Sequence, residues 1–166
     1  MHVGQVPVYH SQLNTGRPYN NEEFSKFKSN FLDIPNEPLY PFGYGLSYTS
    51  FGFGDVQLSA SSAKNGQKIK ASITVTNTGK TDGEEVVQLY IRDVVASISR
   101  PMKELRGFQK VSLKAGESKT LSFEIGSEQL GFYNSALRWV VEPGDFKILI
   151  GPNSRDLKEA NFKVIP

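Results

Sequence analysis

The chain has 166 residues, of which 38% are hydrophobic, 22% charged and 11% aromatic, with a formal net charge of +2; this is enough for one domain of ordinary size with length to spare. Its 19 basic and 17 acidic residues are scattered without long runs, which argues against the concentrated basic face of a nucleic-acid binder, and zero cysteines exclude a disulfide framework and thiolate metal sites. No apolar run approaches the roughly eighteen residues of a membrane span. No charged-then-apolar leader opens the sequence, an absence that says nothing of location if the chain is part of a longer protein.

Taken in chain order, residues 1–54 form an aromatic-rich arm with eleven of the nineteen aromatic residues, from Tyr9 to Phe53. One short helix is predicted over Glu22–Lys28, with Asn20 or Asn21 as its cap and Glu22 and Glu23 in the first turn. The rest of the arm reads as extended, turn-rich chain punctuated by Pro35, Pro38, Pro41, Gly43 and Gly45. Disordered tails are poor in aromatics, so rings at this density must be buried against something to offset the lost chain entropy. Part of that shelter is expected on the following domain and the rest on polypeptide upstream.

From Asp55 onward the pattern changes to short alternating segments separated by turn signals, as in an all-β antiparallel sandwich. Strands are predicted at Asp55–Ala60, Lys68–Thr76, Glu85–Asp93, Glu104–Leu113, Lys119–Ile125, Gly131–Asn134, Leu137–Glu142, Asp145–Gly151 and Glu159–Val164, the last as an edge. Ile69, Ala71, Ile73 and Val75 share one face of their strand and Val87, Leu89 and Ile91 one face of theirs. The interrupted spacing of Leu105, Phe108, Val111 and Leu113 predicts a bulge near Gly107. Asn77-Thr78-Gly79 and Thr81-Asp82-Gly83 read as turns.

Several motifs together resemble one family. The run Pro38-Leu39-Tyr40-Pro41-Phe42-Gly43-Tyr44-Gly45-Leu46-Ser47-Tyr48 is similar to the segment preceding the last domain of family 3 glycoside hydrolases. Asn77-Thr78-Gly79, the run from Gly83 to Tyr90, Arg100-Pro101-Met102-Lys103-Glu104-Leu105-Arg106-Gly107-Phe108 and Glu142-Pro143-Gly144-Asp145-Phe146 resemble that family's fibronectin type III-like domain. The resemblance implies an immunoglobulin/fibronectin III-like sandwich over residues 55–166, a linker arm over 19–54, and over 1–18 the remnant of a preceding α/β sandwich domain, with Gly4–Pro18 as its last strand and loop. It further implies a β-glucosidase-like parent, periplasmic or secreted, that hydrolyses terminal β-linked glucose with retention through two carboxylates.

Those carboxylates belong by resemblance to earlier domains. The nucleophile lies in a Ser-Asp-Trp-like motif that does not occur here, the one tryptophan, Trp139, following Arg138. The expected role is therefore a non-catalytic accessory domain, without activity or cofactor of its own, docked on the catalytic domains of the same polypeptide. Tyr40, Phe42, Tyr44, Tyr48, Phe51, Arg100 and Lys103 are the docking candidates. Carbohydrate near the parent's active site and self-association through the arm are further expected partners, and neither nucleic acid nor membrane is. A stand-alone carbohydrate-binding or protein-interaction module is the alternative.

Other features have plainer explanations. His2 and His10 are too sparse for a metal site. Asp82, Glu84 and Glu85 suggest calcium, but Glu84 and Glu85 must point to opposite faces of a strand. Gly43 and Gly45 lack the strand and helix of a phosphate loop and fit close packing better. Tyr90, Tyr133 and Trp139 could stack on sugars, but Trp139 is expected in the core and Tyr90 at a domain contact, since large rings are mostly buried.

Overall fold

The structure, a computed structural model, describes residues 8–13 and 35–166; the predicted helix at Glu22–Lys28, His2 and most of the expected Gly4–Pro18 remnant lie outside them. Among the described residues eleven strands and one helical turn follow in the order β1 (Phe51–Phe53), β2 (Gln57–Leu58), β3 (Ser62–Lys64), β4 (Ile69–Asn77), β5 (Gly83–Asp93), β6 (Glu104–Leu113), β7 (Ser118–Ile125), α1 (Ser127–Leu130), β8 (Phe132–Tyr133), β9 (Trp139–Val140), β10 (Gly144–Gly151) and β11 (Lys158–Ile165).

Two sheets face each other. In the first, β4 pairs with β7 along its whole length, from Ile69 opposite Ile125 to Thr76 opposite Ser118. Its other side pairs with β1, Phe51 opposite Asn77, and with β2, Leu58 opposite Ala71. The second sheet has the order β3-β11-β10-β5-β6. Its pairs are antiparallel except for β3, which runs parallel to β11 with Ala63 opposite Val164. The segment 51–64 thus starts in one sheet and ends in the other.

Alternation decides which side chains meet between the sheets. The inward row of β4 (Ile69, Ala71, Ile73, Val75) faces that of β5 (Val87, Leu89, Ile91), joined by Leu121, Phe123 and Ile125 and by Phe146, Ile148 and Ile150, all buried. Full burial of one such side chain contributes about 1.5–3 kcal/mol. The predicted bulge is present: Leu89 opposes Gly107 but Tyr90 opposes Leu105, leaving Arg106 as the extra residue.

The structure corrects the reading at several places. Only Gln57–Leu58 of the predicted first strand is a strand, and β1 begins the sheet earlier, at Phe51. Glu159–Val164 is not an edge, because β3 covers it. The segments predicted at Gly131–Asn134 and Leu137–Glu142 shrink to β8 and β9, which pair only with each other, as a separate hairpin.

Candidate docking surface

Two stitches hold the arm. The first is built on Asn77, which is fully buried. Its Oδ1 accepts hydrogen bonds from Thr49 Oγ1 at 2.6 Å and Gly79 N–H at 3.1 Å. Its Nδ2 donates to the carbonyls of Thr81 at 2.8 Å and Leu113 at 3.1 Å. Every hydrogen-bonding position of the amide is thereby filled, the condition under which a polar side chain sits inside a fold without penalty. Gly79 and Gly83 make the space: a Cβ on Gly79 would come within 2.1 Å of Thr49 Oγ1, and one on Gly83 within 2.6 Å of Thr49 Cγ2. Thr81 Oγ1 donating to the Tyr48 carbonyl at 2.8 Å and Thr78 N–H donating to that of Ser50 at 2.8 Å extend the seam.

The second stitch lies over the outer face of β5, where Gln88 and Tyr90 project away from the core yet are buried. Their cover comes from the chain's earlier residues. The His10 ring lies 4.6 Å from that of Phe42 and 5.7 Å from that of Tyr90, Pro41 is buried, and the Phe42 carbonyl accepts Ser154 N–H at 2.9 Å. Gly43 passes directly above Gln88 with φ of 83°, and a Cβ there would fall 2.0 Å from Gln88 Nε2. That position needs glycine for both reasons. Gln88 in turn accepts from Tyr90 Oη at 2.5 Å and donates to the Pro152 carbonyl at 3.0 Å. Burial pushes the Tyr90 phenol up to about 12 and pushes the His10 imidazole down, with the Lys103 charge adding to the effect. Residues 8–13 are fixed to the domain by Met102 N–H donating to the Gln12 carbonyl at 2.9 Å.

What this stitching leaves outside is apolar. Tyr48 is fully exposed, Leu46 is 90% exposed and Tyr40 64%; Phe42, Tyr44 and Leu39 are exposed to smaller degrees. Tyr40 and Tyr44 pack on each other at 5.0 Å between ring centres. Of the seven docking candidates, Tyr40, Phe42, Tyr44 and Tyr48 thus stand on one rigidly held segment, and Leu46 joins them unforeseen. Phe51 packs against the core instead. Lys103 is turned inward, its ammonium donating to the Ser154 carbonyl, and burial lowers its pKa.

Arg100 is occupied within the domain. It is 6% exposed, pairs with Asp93 at 2.9 Å and Glu104 at 2.7 Å, donates to the Leu130 carbonyl at 3.0 Å and stacks over the Phe132 ring at 4.8 Å. Arg106 pairs with Glu104 at 2.5 Å, while its Nε is buried without a hydrogen-bond partner among the described residues. Burial raises the Asp93 pKa against the pull of Arg100. Sequence reasoning missed this cluster because its members are dispersed over 93–106; its one signal is the alternation of charge at Arg100, Glu104 and Arg106.

The remaining singled-out residues separate. Glu84 faces solvent and pairs with Lys110 at 2.5 Å, whereas Glu85 faces inward and is half-buried. Trp139 is not in the core: it is 43% exposed, its indole N–H donating to the Ser127 carbonyl at 3.3 Å and its ring lying on Gly131, where a Cβ would come within 2.5 Å. Tyr133, 61% exposed, meets it edge-on at 5.1 Å. Tyr90 is covered by the chain's own arm. Among the described residues no helix is long and apolar enough to cross a membrane, and no group of three or more His, Asp or Glu side chains is placed to hold a metal ion.

Two facing sheets with a first segment, 51–64, that passes from one sheet to the other and ends in parallel pairing with the last strand define an immunoglobulin-type sandwich, and residues 85–154 match the model of the fibronectin type III-like domain. Over 163 residues, 98% of the chain, it is 52% identical to a periplasmic β-glucosidase of Salmonella typhimurium, spanning 21% of that protein. It is 43% identical over 164 residues to a β-xylosidase of Formosa agariphila, spanning 22% of it. A crystal structure of Listeria innocua β-glucosidase in complex with gluconolactone superposes with a TM-score of 0.91 at 44% identity, over 98% of this chain and 23% of that one. The chain belongs to the fibronectin type III-like domains found in the C-terminal part of family 3 glycoside hydrolases of the β-glucosidase type. It spans about a fifth of the length of the curated relatives it matches.

Proposed function

We propose that this chain is the non-catalytic accessory domain of a retaining family 3 exo-β-glycosidase and that it works by docking onto the catalytic domains through its arm. The observation that carries this reading is the exposed row Tyr40, Tyr44, Leu46 and Tyr48 on a segment that is stitched to the sandwich at both ends. A fixed, aromatic-rich apolar patch is what an interface core requires. In this reading residues 1–18 close a preceding α/β domain, 19–54 form the linker arm and 55–166, with β1, form the sandwich. The Salmonella relative named periplasmic supports a periplasmic or secreted parent. Because a β-glucosidase and a β-xylosidase both carry the domain at this similarity, the parent's choice of sugar is assigned to other domains.

The test uses the full-length polypeptide that contains this chain. Leu46→Ser with Tyr48→Ser removes the two most exposed anchors; the expected result is a lowered melting temperature and lowered turnover of an aryl β-glucoside in the parent, with the isolated chain's stability unchanged. Equal stability and turnover in the parent would refute docking through the arm. Hydrolysis of the aryl glucoside by the isolated chain would refute the non-catalytic reading. Light scattering on the isolated chain reads whether the same row drives self-association.

A further inference from the structure

The inward row of β5 does not end in a hydrophobic residue. Below Val87 the same face carries Glu85 and then Gly83, over which Phe51 lies, a Cβ at Gly83 falling 3.2 Å from Phe51 Cζ. Glu85 therefore points between the sheets at the mouth of the sandwich. Among the described residues its carboxylate accepts one hydrogen bond, from Val86 N–H at 2.8 Å, and has no ion-pair partner. An ionised carboxylate can accept several more, and a half-buried one without partners is costly to keep.

The mouth opens as a groove of about 530 Å³ between the end of the arm, β1 and the loop after β10, within the range of small-molecule sites. Phe51 and Phe53, two residues apart on one strand and so on one side of it, are half-buried against the core and present the rest of their aromatic surface to the groove; Ser47, Thr49, Asp156 and Lys158 complete the polar lining. Asp156 lies 3.5 Å from Arg155 and Lys158 3.9 Å from Asp55, so both signs of charge stand at the rim.

We infer that this groove is a binding site for a neutral pyranose, one or two sugar units, with its C–H face on the Phe51 and Phe53 rings and its hydroxyls donating to Glu85. An anion would be opposed by Glu85 and Asp156, and a free cation gains little at a rim where Arg155 and Lys158 already stand against the carboxylates. A hydroxyl-rich ring with an apolar face meets every element of the lining. The inference goes beyond docking of the arm and does not depend on it.

Amide NMR of the isolated chain, titrated separately with glucose, xylose and cellobiose, tests the inference. Saturable shifts are expected at Ser47, Glu85 and Lys158 for at least one sugar. Glu85→Gln keeps the shape of the side chain and should weaken the interaction about tenfold or more, the loss for a charge-assisted hydrogen bond, while melting no lower than wild type. Conservative Phe53→Leu should weaken it as well. No saturable shift with any of the three sugars, shifts centred on Tyr133 and Trp139, or equal shifts with a lysine amide as probe would each overturn the site. None of these results touches the parent-protein test of docking, which is read in stability and turnover of the assembled enzyme.

Discussion

Replacing Asn77 with alanine removes the junction on which the arm, the turn at 77–81 and the end of β6 converge. Four hydrogen bonds go at once, to Thr49, Gly79, Thr81 and Leu113. At about 1 kcal/mol for each ordinary bond, and more where a buried partner is left unsatisfied, the Leu113 carbonyl being the buried case, the loss is about 3–5 kcal/mol. For a domain of this size each kcal/mol lowers the melting temperature by about 2–4 °C, so a fall of roughly 6–20 °C is expected in a circular-dichroism melt. Thr49→Val severs only the 2.6 Å bond and should cost about 1 kcal/mol. Because Thr49 belongs to the arm, Asn77→Ala should also speed chymotryptic cleavage near Tyr48. An Asn77→Ala protein that melts within about 2 °C of wild type, less than the shift for a single kcal/mol, would show that the amide is a passenger and refute the stitching argument.

Arg100→Met strands the Asp93 carboxylate, which is 2% exposed, and should cost about 3–5 kcal/mol in urea titration; Asp93→Asn in the same chain should restore much of it. Asp93 already has a raised folded pKa, and losing Arg100 raises it further, so the folded state binds a proton that the unfolded state does not. The stability of the Arg100→Met variant should therefore fall as pH rises through that value, the deficit being larger at neutral pH than in mild acid. Glu85 shows the same sign in the wild-type domain: burial lifts its pKa above 4.5, so its contribution favours the fold most in acid and is lost as pH rises through the folded value, a component that Glu85→Gln should abolish in melts across that range. Gly131→Ala forces a methyl into the space of the indole; with Trp139 the one tryptophan, its fluorescence should shift to longer wavelength and become more quenchable by acrylamide, and unchanged emission would refute the contact.

The long strands were legible because each has one wet and one dry side. β4 alternates from Ile69 to Val75 and β6 betrays its bulge through Gly107, so both could be placed to within a residue or two. β3 was not legible: Ser62-Ala63-Lys64 has one apolar residue and gains its pairing from β11, about a hundred residues away in sequence. In sequence β1 reads as part of the arm because Phe51 and Phe53 continue a run of aromatics, and only the register with Asn77 and Val75 shows that they begin the sheet. Trp139 reads as a core residue because size argues for burial, whereas Gly131 offers it a flat seat at the surface. The exposed row was half legible: the tyrosines announced themselves by number, but which rings the sandwich itself would cover depended on Gln88, Tyr90 and His10 meeting in space.

The segment that changes layers has a mechanical consequence. Residues 51–64 are hydrogen-bonded to β4 at one end and to β11 at the other, so the two layers share a common rung on one flank. Sliding one layer across the other would have to tear that rung from a neighbour, which makes the domain stiff in shear, and any load arriving along the arm is spread over both layers at once.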